Sequence, residues 1–104
     1  MKDTIITEFV KFKVPETTTD EQLIAKADIF NDFQKKQDGF INSELLKDTE
    51  ENAWFFIYHY ESMEKVKAIG EKMRSCNEFA EFKTLIVPGS IGVTFYPQLK
   101  KWLK

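Results

Sequence analysis

The chain has 104 residues, enough for one domain and too few for two ordinary ones, so residues 1–104 are read as a single domain. With 42% hydrophobic and 31% charged residues it has a globular composition, and 15 basic against 17 acidic side chains leave a net charge of -2, without the basic excess that a nucleic-acid backbone demands. No window nears the roughly eighteen consecutive apolar residues of a membrane-spanning helix, and a single cysteine, Cys76, cannot close an internal disulfide.

In chain order, the opening MKDTIITEF lacks an apolar run followed by a small-residue cleavage site, so no signal peptide and a cytoplasmic location are expected. Residues 4–14, TIITEFVKFKV, alternate: Ile6, Val10, Phe12 and Val14 share one face with Glu8, and Thr7, Phe9, Lys11 and Lys13 share the other. That is a strand, stopped by Pro15. TTTDEQ then opens a helix, with Thr19 as N-cap, Gln22 completing a capping box, and Asp20 and Glu21 in the first turn. Leu23, Ala27, Phe30 and Phe33 follow at helical spacing, with Ile24 and Ile29 beside them, and Gly39 is a natural stop.

A second strand is predicted from about Phe40 to Lys47, a turn at DTEEN, and a third strand over WFFIYHY. Ser62 can cap a second helix whose inner side carries Val66, Ile69 and Met73, with Gly70 weakening it and Ser75-Cys76-Asn77 breaking it. Phe79, Phe82, Leu85 and Ile86 resume helical spacing, PGS ends it, and IGVTFY supplies a fourth strand before Pro97. The order predicts a ferredoxin-like βαββαβ α+β fold, a four-stranded antiparallel sheet with two helices on one face and the first and third strands in the middle.

The third strand lacks the polar alternation of a half-buried strand, so both of its faces need cover. The helices can cover one. A second subunit, sheet against sheet, would cover the other, and a homodimer is expected.

At this point the chain resembles the dimeric α+β barrel superfamily, and most of all its antibiotic biosynthesis monooxygenase-like family. The likeness spans nearly the whole chain and rests on VKFKVPE closing the first strand, on the glycine-led hairpin GFINSELLKDTEENAWFFIYHYES, and on SMEKVKAIGEKMRSCNEFAEFKTLI with its Ser-x-x-x-Phe-x-x-Phe pattern. The resemblance implies a pocket between sheet and helices in each subunit, and a possible activity of cofactor-independent monooxygenation on quinol-like or phenolic substrates. Many members carry a histidine on the inner side of the second helix, where this chain has Ile69. The haem-degrading relatives use a histidine of that helix as iron ligand, with an Asn near the position of Glu8 here; this helix has no histidine, so haem is not expected.

Glu8 interrupts an apolar strand face, where desolvation would raise its pKa into the range of a general base. The alternative is a carboxylate at an opening to water or paired with a lysine. His59 shares its face with Phe55 and Ile57, opposite Trp54, Phe56, Tyr58 and Tyr60, and is either a second candidate base or a histidine satisfied by the backbone or by a subunit interface. Tyr58, Tyr60 and Trp54 are candidate ligand contacts, joined by Phe12 on the face of Glu8 and Ile69 on the second helix. Cys76 reads as a packing residue. No metal-ligand set or phosphate-binding loop is present, so neither metal nor cofactor is expected. The resulting expectation is a small-molecule-binding protein with an aromatic-lined pocket for an apolar or aromatic ligand, either such a monooxygenase or a non-catalytic ligand-binding or regulatory dimer of the same fold.

Overall fold

The computed structural model describes residues 4–104; the signal-peptide expectation rests in part on residues 1–3, which lie outside them. The elements are β1 (Ile6–Phe12), α1 (Asp20–Gln34), β2 (Phe40–Asp48), β3 (Ala53–Tyr60), α2 (Met63–Arg74), α3 (Asn77–Lys83) and β4 (Gly92–Pro97). The four strands form one antiparallel sheet in the order β2-β3-β1-β4, with β1 and β3 central as the crossovers require. The expected second helix is two, divided at Ser75 and Cys76. None of the described helices is long and apolar enough to cross a membrane.

Local chemistry sets the boundaries. Thr19 caps α1 with its Oγ1 accepting from the Gln22 amide at 3.1 Å, while the Gln22 side chain accepts from the Thr19 amide at 2.9 Å. Ser62 caps α2 by accepting from the Lys65 amide at 3.2 Å. Cys76 is the N-cap of α3, its Sγ accepting from the Phe79 amide at 3.2 Å. This thiol is pushed up from its ordinary pKa, mainly by burial, which suits packing and not nucleophilic work.

The core lies between the helices and one sheet face. Trp54, Phe56, Tyr58 and Tyr60 of β3 are all buried there, beside Phe12 of β1 and beneath Leu23, Ala27 and Phe30 of α1. Phe82 of α3 is the hub: its ring centroid is 5.4 Å from Phe56, 5.7 Å from Phe12 and 5.9 Å from Phe30. Such pairs add about 0.5–1.5 kcal/mol each beyond area burial. The short α3, which seven residues alone could not sustain, is held by this cluster. The opposite sheet face carries Phe9, Phe55, Ile57 and His59, half-buried, and no described helix packs over them.

Gly39 does not end α1, which stops at Gln34, but forms the sharp entry to β2 with φ +96°. A Cβ there would lie 2.4 Å from both Cβ and Cγ of Lys65, whose ammonium pairs with Asp38. Gly39→Ala therefore combines a left-handed backbone with a clash against the near end of a helix side chain. It is expected to lower stability by about 2–3 kcal/mol, read as a fall in the denaturant midpoint with unchanged slope.

Candidate functional site

The strand register brings the predicted polar residues together. On the helix side of the sheet Glu8 pairs across with Tyr58 on β3 and with Phe95 on β4, and Tyr60 is two residues along β3 on the same face. Glu8 is thus set in an aromatic wall, at the junction of two cavities. The outer one, about 440 Å³, is lined by Glu8, Tyr60 and Phe95 from the sheet and by Val66, Gly70 and Met73 from α2, with Lys67, Glu71 and Arg74 at its mouth. The inner one, about 170 Å³, is almost wholly apolar and runs from Glu8 and Tyr58 past Phe12, Phe56 and Met73 to Phe82. A larger surface groove of about 500 Å³ beside α1 has Lys26 as its one charged wall residue, already paired with Glu81 at 3.8 Å, and offers no comparable chemistry.

Burial pushes the Glu8 carboxyl above its ordinary value, and a hydrogen bond from the Tyr60 hydroxyl draws it part of the way back. Tyr60 is itself held by buried Gln34, whose Nε2 donates to the phenol oxygen at 3.4 Å. That leaves the Tyr60 proton free to point at Glu8. Burial and the neighbouring carboxylate push both Tyr58 and Tyr60 well above the usual phenol range, so both hydroxyls stay protonated donors. The arrangement can take a proton from a ligand at Glu8 and hold the resulting anion against hydroxyl donors and aromatic faces.

Of the residues proposed from sequence, Glu8, Tyr58, Tyr60 and Phe12 meet at these cavities. Three do not. Trp54 shares the face but lies at the far end of β3, lining a shallow groove with the Lys47 ammonium 5.0 Å over its ring. Ile69 is buried in the core and contributes to neither cavity wall. His59 is on the opposite sheet face, paired across from Thr7, with Nδ1 2.8 Å from the Asn42 side-chain oxygen; facing an amide oxygen, Nδ1 is the donor. Val66 and Met73, which the sequence places on the inner side of the second helix, and Phe79 and Phe82, which it places only at helical spacing, also line these cavities, as do Val93 and Phe95, whose alternation on β4 puts them on the face of Glu8.

No protein-family model matches the sequence, and comparison with curated proteins finds no match. Solved structures do match. A variant of SnoaB, a cofactor-independent oxygenase from Streptomyces nogalater, superposes with a TM-score of 0.78 at 12% identity, over 97% of this chain and 99% of that one. The monooxygenase from the gene ActVA-Orf6 of Streptomyces coelicolor, in complex with nanaomycin D, gives 0.77 at 17% identity, over 97% and 93%. The chain has the fold of these oxygenases. The heme-free form of the heme-degrading protein Rv3592 from Mycobacterium tuberculosis also matches, with a TM-score of 0.73 at 14% identity over 98% and 99%. The resemblance to the dimeric α+β barrel superfamily is thereby borne out at the level of fold, which oxygenases and heme-degrading proteins share. Fold alone does not select among these chemistries.

The raised Glu8 pKa has a consequence for stability. A carboxyl that binds its proton more tightly when folded stabilises the fold fully below its unfolded value, near 4.5, and that contribution is lost as pH rises through the raised folded value. Glu8→Gln is expected to remove this descent and to leave the protein more stable than wild type at neutral pH. Melting temperatures of both proteins across the acid-to-neutral range check it; a variant that tracks wild type throughout would place Glu8 in water.

Proposed function

We propose that this protein binds a phenolic or quinol-like aromatic molecule in the Glu8 cavities and oxidises it with dioxygen, as a cofactor-independent monooxygenase. The observation that carries the reading is a half-buried carboxylate of raised basicity opening onto an aromatic, almost wholly apolar cavity, with protonated tyrosines beside it. Glu8 takes the substrate hydroxyl proton. The substrate anion, electron-rich and held in an apolar wall, transfers one electron to dioxygen, and the radical pair recombines at a ring carbon that bears hydrogen; the peroxide takes up the proton held on Glu8, and loss of the C–H proton with cleavage of the O–O bond releases water and leaves a quinone. Tyr60 and Tyr58 orient the oxygen being deprotonated. His59, on the other sheet face, has no part in this scheme.

The observations on α2 disfavour haem as the working group: this helix has no histidine, and Ile69, at the position where many relatives carry one, is packed in the core. We also infer that two copies pair through the outer sheet face, where Phe9, Phe55, Ile57 and Leu46 form an apolar surface around the His59–Asn42 pair. The cytoplasmic assignment rests on composition and on a single, free cysteine.

The decisive experiment is oxygen consumption with a panel of phenols and quinols. Glu8→Gln is expected to lower kcat by about 10²–10⁴-fold with a small change in KM, the usual range for a lost general base. Tyr60→Phe should lower it less, by about tenfold. Binding without oxygen uptake in the wild type would instead favour a non-catalytic ligand-binding protein.

Pairing is tested separately. Ile57→Lys sets an ammonium on the outer face without touching the helix-side cavities, and is expected to convert a dimer into a monomer in sedimentation analysis. A monomeric wild type would remove the pairing inference.

A further inference from the structure

Gly70 lies in the interior of α2, where glycine costs about 1 kcal/mol relative to alanine. Neither usual reason for a glycine applies. It is not among the residues with positive φ, and a Cβ built on it would meet nothing within 4 Å. What a side chain there would enter is the outer cavity, whose wall Gly70 forms.

On either side of it along the same helix face stand Lys67 and Arg74, seven residues apart and therefore two turns apart on one line. Ion pairs engage Lys11, Lys26, Lys35, Lys47 and Lys65, whereas among the described residues neither Lys67 nor Arg74 forms one. Among the described residues that line the cavity, the exposed charges are Lys67, Arg74 and Glu71, so the exposed rim carries one net positive charge. Glu8, on β1, is half-buried where Lys67, Glu71 and Arg74 are exposed, and Val66, Met73, Tyr60 and Phe95 supply the mostly apolar remainder of the lining. The cavity thus has a net cationic exposed rim, a bare stretch at Gly70 and a half-buried carboxylate in its wall.

We propose that the ligand of this cavity is an aromatic phenol or quinol bearing a carboxylate at the end remote from its reacting hydroxyl, the carboxylate held by Arg74 and Lys67 and the ring lying over Gly70. The proposal rests on the reading of Glu8 as the group that receives the hydroxyl. Arg74 offers the fork geometry that suits a carboxylate, and Lys67 a second, flexible charge. Gly70 then sets specificity by leaving room for the ring edge, which explains why helix stability is sacrificed at this one position.

The test compares two probes of the same ring size by calorimetry: a hydroxynaphthoate with hydroxyl and carboxylate at opposite ends, and the naphthol that lacks the carboxylate. Wild type is expected to bind the hydroxynaphthoate about tenfold more tightly, the worth of one charge-assisted contact set. The double variant Lys67→Gln, Arg74→Gln should bind both probes equally. Lys72→Gln, which removes a charge from the same helix away from the cavity, should keep the tenfold preference. Gly70→Leu should weaken both probes at least tenfold while the melting temperature holds or rises.

Equal affinity of wild type for both probes, or a preference that survives the double variant, overturns the proposal. If naphthol binds and Glu8→Gln abolishes its turnover while the carboxylate gives no advantage, the Glu8 reading stands and this one falls. If neither probe binds, both fall together.

Discussion

The register of β1 against β3 is the constraint on which the rest of the molecule depends. Because side chains alternate with a period of two, one residue of slip would turn Glu8 out to the bare face and bring Phe9 into the core. The pairing is held by agreement among several residues: Ile6, Val10 and Phe12 meet Tyr60, Phe56 and Trp54 under the helices, and an odd slip would turn all three of the β1 residues out. Glu8 is carried into the aromatic wall by these neighbours, against its own preference for water. The same alternation on β4 delivers Val93 and Phe95 to the helix side, where they complete the cavity walls.

A carboxylate in such a wall is expensive unless its surroundings compensate. Here the compensation is partial. The neighbouring Tyr60 hydroxyl favours the charged form of Glu8 and Gln34 donates to Tyr60, a relay that begins at a nearly fully buried amide on the last turn of α1. Helix α1 thereby reaches the site from behind the sheet's core without lining either cavity with a charge. The edge position of β4 supplies the rest: no helix covers its outer half, Val93 and Phe95 remain 49% and 40% exposed, and solvent or a ligand can reach Glu8 from that side. A carboxyl that is neither fully solvated nor fully neutralised is the one whose protonation a ligand can change.

The fold was legible because its signals are local and mutually consistent. Alternation in TIITEFVKFKV, the Thr19–Gln22 box, Ser62 as a cap and the break at Ser75 to Asn77 each correspond to an element boundary in the structure. The site was legible only in part, because it depends on which residues face each other across strands. Alternation placed His59 opposite Tyr58 and Tyr60, but which face the helices would cover, and whether Glu8 shares the face of the tyrosines, was open. Register decided for Glu8. A slip at Ile41, where β2 bulges against β3, shows that pairing could not have been counted from the turn alone. Ile69 illustrates a different limit: helical spacing identifies an inner face, yet not which part of that face meets packed side chains and which meets a void. Ile69 meets the packing and Gly70, one residue on, meets the void.

Strand β3 links assembly to chemistry, since its two faces have separate duties. Trp54, Phe56, Tyr58 and Tyr60 build the core and the site wall, and the intervening Phe55, Ile57 and His59 form the center of the uncovered face. Each backbone unit of the strand therefore has one side chain fixed by the helices and the next fixed only by whatever covers the outer face. A second copy seated there would immobilise β3 from both sides, and the Tyr58 and Tyr60 hydroxyls would be held against Glu8 by packing that this chain alone does not provide. In that arrangement the histidine in the middle of an apolar strand also has a place. Its bond to Asn42 satisfies the one polar side chain of β3 on that face before the interface closes over it.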